Sequence, residues 1–173
     1  MKKTISAAII VLILLGVTAA QQKVIHFKKL QEFLPEKIAG FERGRPQGST
    51  STAMGISTSE ASVEFYNEES EQSISISIAD ISGTPYAGAA MMYQGMDFET
   101  EDEDGYEKTV TLDGGYKAIE KAQTGEYKSC ELDLILDGRF SISVSGNGFD
   151  DASILRQAVK GIDLKKLESA TAE

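Results

Sequence analysis

The chain has 173 residues with one cysteine, one histidine and a formal net charge of −10. That length suits a single ordinary domain with its own core. The charge argues against nucleic acid and anionic lipid as partners, since both need clustered cations to neutralise phosphate. A lone cysteine leaves no internal disulfide, and a lone histidine removes multi-histidine zinc sites.

The first segment, MKKTISAAIIVLILLGVTAAQQ, has two lysines, an uncharged apolar stretch and small residues at Thr18, Ala19 and Ala20. Those are the three regions of a secretory signal peptide, with cleavage expected after Ala19 or Ala20. The alternative is a retained N-terminal anchor, because the uncharged run from Thr4 to Ala20 is only slightly short of the roughly 20 residues that span a bilayer. Cleavage removes Lys2 and Lys3 and makes an acidic chain more acidic. Residues 1–20 are thus expected to be the signal, and residues 21–173 one exported domain, periplasmic or secreted.

From His26 to Pro35, Phe27, Leu30, Phe33 and Leu34 recur at helical spacing and Pro35 stops the run, which predicts a short amphipathic helix. Residues 42–55 hold too few large apolar side chains for a packed element and read as a flexible surface loop or a weak edge strand. ASVEFY (61–66) and SISISIADIS (73–82) alternate apolar and polar residues around a turn at Asn67 to Glu71, and so predict a hairpin buried on one face. Thr84-Pro85 is an N-cap followed by a first helical residue, and Gly95 is a terminator, so a middle helix is expected over 85–94.

Four further strands, 106–112, 116–122, 127–136 and 139–145, are divided by Asp113-Gly114-Gly115, Thr124-Gly125 and Asp137-Gly138. Asp-Gly between alternating apolar residues is the strongest short-range hairpin signal, so these strands form an antiparallel meander. Cys130 shares parity with Leu132, Leu134 and Leu136, which points its thiol into the core and turns Glu131 and Asp133 outward. Leu155, Ala158, Val159 and Ile162 make the apolar stripe of a final helix. The expected fold is therefore α+β, an antiparallel sheet of about six strands packed by N-terminal, middle and C-terminal helices.

Between the last strand and the last helix, SVSGNGFDDASILRQAVKG (143–161) has the strand, Gly-x-Gly, helix order of a dinucleotide cradle. Asp150 and Asp151 occupy the helix start where phosphate would bind, so they cap it and repel a second anion. Asp151 also stands where the motif requires a third glycine. The acidic run FETEDEDGYE (98–107) fails as a calcium loop, because aligning Gly105 with the loop glycine puts Thr100 and Thr111 at the positions that need acids. It reads as a solvated loop. His26, near the mature N-terminus, makes a Ser-His-Asp triad implausible, so no catalytic set is expected.

Met91, Met92 and Met96 are thioethers that an exported protein could offer to Cu(I). Met92 and Met96 share a helix face, although methionines at such spacing more often fill cores.

The stretch LQEFLPEKIAGFERG (30–44), the strand SISISIADIS and the closing IDLKKL (162–167) follow an order of elements that resembles the PsbP-like group of exported domains. The resemblance implies an α/β/α sandwich that binds partners rather than catalyses a reaction, and it carries over no functional residue. The expected function is that of a non-enzymatic binding or accessory protein of the cell envelope with no cofactor, acting on a protein or small ligand. The alternative is a metal-binding protein using Met91, Met92 and Met96 or the acidic loop 99–104.

Overall fold

The computed structural model describes residues 23–82, 84, 92, 95–125 and 127–171. The expected signal peptide lies outside these residues, as does nearly all of the expected middle helix. Helix α1 (Phe27–Leu30) is followed by a 3-10 turn, Gln31–Phe33, so the predicted helix is present but tightens at its end. His26 caps α1, its Nδ1 accepting from Lys28 N at 3.3 Å.

Nine strands follow: β1 (Glu42–Arg43), β2 (Gln47–Ala53), β3 (Ile56–Asn67), β4 (Gln72–Asp80), β5 (Glu99–Glu101), β6 (Gly105–Thr111), β7 (Lys117–Gln123), β8 (Ser129–Leu136) and β9 (Phe140–Asn147). They form one antiparallel sheet in the order β1-β3-β4-β9-β8-β7-β6-β5, with β2 beside β3 on the same edge as β1. The expected hairpin is β3–β4 and the expected meander is β6 to β9, and β9 joins them by pairing with β4. At the β8–β9 turn Leu136 pairs with Phe140 across Asp137, Gly138 and Arg139, and Asp137 and Gly138 take left-handed φ of 50° and 62°.

Among the described residues the expected count of about six strands is corrected to nine, and the three additions, β1, β2 and β5, lie at the edges. Residues 42–55 take the edge-strand alternative rather than that of a flexible loop, and the start of the acidic run is a strand. Both escaped an apolar-alternation test because β2 and β5 are exposed along their whole length. Backbone pairing holds them, helped on β2 by Thr50 and Thr52, whose hydroxyls hydrogen-bond Ser59 and Ser57. Between β1 and β2 the register with β3 shifts by one residue, so Arg45 and Pro46 together oppose Val63 in a bulge. A proline that cannot donate to the ladder is accommodated there.

After β9 come α2 (Ser153–Val159) and α3 (Leu164–Glu168). Among the described residues α1, α2 and α3 all pack on one face of the sheet. Leu30, Phe33, Leu155 and Leu167 meet Ile76, Leu132, Leu134 and Ile142 in a single cluster. The opposite face is polar at its centre, with Ser75, Ser145 and Glu131 in one cross-strand row and Ser77, Ser143 and Asp133 in the next, and carries Ile119 beside Asp133. Two layers are thus described, a sheet and one set of short helices, rather than a clear sandwich.

The core also buries two carboxylates completely, Asp80 and Glu120. Asp80 Oδ2 accepts from Ile25 N at 2.9 Å and from Arg139 Nη2 at 2.9 Å, and its Oδ1 accepts from Ser82 N at 3.1 Å. Arg139 Nη1 donates to Ala170 O at 2.9 Å. One arginine-carboxylate pair therefore ties together the lead into α1, the end of β4, the β8–β9 turn and the chain beyond α3. A charge brought inside must find such a partner, since an unpaired buried charge is very costly.

Candidate functional site

An open concavity lies where α2 and α3 cross the β6–β7 hairpin. The hairpin turns through Asp113-Gly114-Gly115, and Leu112 N donates to Tyr116 O at 2.7 Å to close its neck. Helix α2 is laid beside it because Leu155, Ala158 and Val159 face the sheet, which leaves Ser153, Arg156, Gln157 and Lys160 turned outward. Asp163 caps α3 by accepting from Lys166 N at 3.0 Å. The result is a groove of about 620 Å3 with Leu112, Tyr116, Val159, Ile162 and Leu164 along its walls and Arg156, Lys160 and Lys165 at its rim.

Charge is distributed unevenly around this groove. Lys160 pairs with Asp113 at 3.0 Å across the mouth, both partners exposed, a contact worth little and easily opened. Asp163 is occupied as a helix cap. Arg156 reaches inward, its Nε 2.6 Å from Glu120 Oε2 and its Nη2 3.0 Å from Oε1. Tyr106 donates its hydroxyl to the same Oε1 at 2.9 Å. Burial first, and then the hydrogen bond to Glu120, pushes the Tyr106 phenol up to about 12. The Glu120 hydrogen bond likewise raises the Arg156 pKa, so this guanidinium is held charged and fixed in orientation. Tyr116 is raised in the same sense, by burial and then by Glu168. Lys165 forms no ion pair among the described residues, leaving a free cation beside an apolar trough.

The Gly-x-Gly turn is no nucleotide cradle. A Cβ on Gly146 would lie 2.9 Å from Phe149 Cδ2 and 3.0 Å from Leu155 Cδ2, so the glycine admits two core side chains rather than a pyrophosphate. Asp151 accepts from Ser153 N at 2.7 Å, and its hydrogen bonds with Ser153 lower its pKa. Asp150 does not share that role. It turns away to Lys128 at 2.7 Å, which corrects the expectation that both aspartates cap the helix start. The physical reason is reach, since one carboxylate already serves the first free amide and the neighbouring side chain finds a cation nearby.

Met92 and Met96 are both exposed, and Met91 lies outside the described residues. Of the acidic run, Glu99 and Glu101 belong to β5, while Asp102 Oδ1 accepts from Asp104 N at 2.9 Å and Gly105 N at 3.1 Å to form the tight turn into β6. Among the described residues no three His, Cys, Asp or Glu side chains converge as a metal cage. Cys130 is buried with Leu132, Leu134 and Leu136, and its thiol donates to Phe149 O at 3.6 Å. Burial, followed by the charges of Asp151 and Glu120, pushes its pKa up to about 11, the opposite of an activated nucleophile.

Sequence reasoning passed over Glu120, Arg156 and Tyr116. A signal for Glu120 existed: it shares strand parity with Ala118 and Ala122, both buried, so a carboxylate stood on the core face between small residues. Nothing comparable marked Tyr116 or Arg156, because the groove is made by elements that are distant in sequence. No protein-family model, no curated protein and no solved structure matches the chain.

Proposed function

We propose that the protein is an exported, non-enzymatic binding protein of the cell envelope, periplasmic or secreted, and that the groove between α2, α3 and the β6–β7 hairpin is its ligand seat. The groove carries this reading. It has apolar walls, cations at its rim and room for a small ligand or the side chains of a peptide, as binding clefts do. Its chemistry fits an amphipathic molecule with an apolar body and one anionic group, the body lying along Leu112, Val159 and Ile162 and the anion near Lys165. The secretory pattern of residues 1–20 supports export. The order of elements, with its resemblance to PsbP-like domains, supports partner binding and an α/β/α arrangement as the finer reading of the fold.

The test is a fluorescence titration with anilinonaphthalene sulfonate, which pairs an aromatic body with an anionic head. Saturable binding to the folded protein is expected, abolished by Gln157→Trp, which fills the groove from its exposed wall, and weakened by Lys165→Glu. Binding untouched by both substitutions would remove the groove from consideration. A second reading, capture of Cu(I) by Met91, Met92 and Met96, is favoured only by the exposure of Met92 and Met96. A Cu(I) competition titration on the triple Met→Leu variant decides it, and unchanged affinity would dismiss it.

A further inference from the structure

The two edges of the sheet are managed in opposite ways. Edge β5 is acidic: Glu99 and Glu101 lie on it, and Asp97, Asp102, Glu103 and Asp104 flank it. Charged residues are the usual protection of an unpaired edge. Edge β2 has none, its residues being Gln47, Gly48, Ser49, Thr50, Ser51, Thr52 and Ala53, all exposed. Among the described residues β2 pairs only with β3 and β5 only with β6. On the helix-bearing face beside β2 the nearby exposed charge is Lys28, whereas Glu60, cross-strand from Ser49, faces the opposite side with Ser77. Lys28 lies on α1, whose Phe27 N donates to Thr50 Oγ1 at 3.1 Å, and Arg45 sits in the bulge just before β2. Neither Lys28 nor Arg45 forms an ion pair among the described residues.

We propose that the protein associates head to tail, the acidic β5 edge of one copy adding as a strand to the β2 edge of a second copy. Topology supports this directly. The path from β1 to β5 contains eight strands with every pairing antiparallel, so β5 runs opposite to β1 and β2. A second copy displaced sideways without rotation therefore brings its β5 antiparallel to β2 and keeps the helix-bearing faces on one side.

Charge supports it too. Glu99 and Glu101 lie opposite Lys108 and Tyr106, on the helix-bearing face. Helix α1 is on that face as well, since Phe27 packs over Gly48, whose cross-strand neighbour Ala61 is buried. The β5 carboxylates of one copy thus lie on the same face as Lys28 of the next, with Arg45 at the start of the β2 edge. The edge that β5 offers is short, Glu99–Glu101, with Thr100 paired inward to Glu107. A two-fold β2–β2 pairing would instead place the Lys28 side chains of both copies on one face, like charge beside like charge. A head-to-tail contact does not close on itself, so it yields linear chains that lengthen with concentration.

Sedimentation velocity of the protein as purified from its host tests this at about 0.01 M salt, where the Debye length is about 30 Å, and at about 1 M, where it is about 3 Å. The expected result is a weight-average mass that climbs with concentration at low salt, to roughly twice the monomer mass or beyond, and stays monomeric at high salt. The double substitution Glu99→Lys with Glu101→Lys should remain monomeric at low salt. Adding Lys28→Glu and Arg45→Glu to it should restore association. All four positions are exposed, and an unchanged unfolding midpoint would verify that the fold is intact. A protein monomeric at every concentration and salt would overturn the proposal. So would charge reversal without rescue, or association that survives the β5 reversal yet is lost in Ser51→Lys, the signature of β2–β2 pairing.

Discussion

Asp80 and Glu120 are both completely buried and each is gripped by a single arginine, yet their surroundings differ in one decisive respect. Arg139, which holds Asp80, is 19 % exposed in its side chain, whereas Arg156, which holds Glu120, is 44 % exposed. Remove the Asp80 charge and Arg139 keeps little access to water, while one of the two backbone amides, Ile25 N or Ser82 N, faces an amide nitrogen in place of its acceptor. Remove the Glu120 charge and Arg156 can swing into the groove it already lines. A buried ion pair is thus only as structural as its more exposed partner allows. The Asp80 pair locks the segments that lead into α1 and out of α3 to the sheet, whereas the Glu120 pair presents a fixed cation to a cleft.

That contrast can be broken most sharply at Asp80. Asp80→Asn is expected to destabilise the protein by about 3 to 5 kcal/mol, the usual result of stripping one partner from a buried pair. Chemical denaturation measures it, and a loss no greater than that of Glu120→Gln would erase the distinction.

Leu155→Ala comes next. Leu155 is fully buried on α2, one residue from Arg156, and its truncation should cost about 2 to 5 kcal/mol. Ser153→Ala on the exposed side should change stability by about 0.5 kcal/mol or less. Equal midpoints for the two variants would mean that α2 is not anchored through Leu155 and cannot position Arg156.

Glu120→Gln should cost less, about 1 to 3 kcal/mol, because Arg156 is left near water and the amide can still accept from Tyr106. Its second signature is functional: dye binding in the groove should change, whereas Asp80→Asn, if folded, should leave it alone. No change in dye binding would detach Glu120 from the groove.

The smallest expected effect is alkaline. Folding raises Cys130 from 9.0 to about 11 and Tyr106 from 10.0 to about 12, so both groups hold their protons longer in the folded state than in the unfolded one. Their contribution is complete below about pH 9 and is lost as pH climbs towards 12. Thermal unfolding from pH 8 to 11 should show a falling midpoint, less steep in Cys130→Ala. A thiol reagent should modify native protein far more slowly than unfolded protein, and equal rates would put Cys130 on the wrong face of β8.

Much of the fold was legible because it is written in parity. Ile74, Ile76 and Ile78 on β4 and Leu132, Leu134 and Leu136 on β8 advertise a buried face, and Asp137-Gly138 advertises the turn that joins β8 to β9. The edge strands were illegible for the converse reason: nothing on β2 or β5 is buried, so their sequences record no face. The groove was equally hidden. Tyr116, Arg156 and Leu164 have no local pattern in common and meet only once α2 and α3 fold back over the β6–β7 hairpin.

By itself, therefore, the sequence determined which residues alternate, where the chain turns, that Cys130 faces inward with the leucines and that the Gly-x-Gly stretch has no room for phosphate chemistry behind its aspartates. Those are local properties, set by side-chain period, φ preference and neighbouring charge. Only the tertiary structure decided that Asp80 would meet Arg139, that Glu120 would meet Arg156 and that the outermost strands would be the acidic β5 at one edge and the uncharged β2 at the other. These depend on which strands become neighbours and which remain outermost, and that order is set by the packing of distant segments into one shared core rather than by any short stretch of chain.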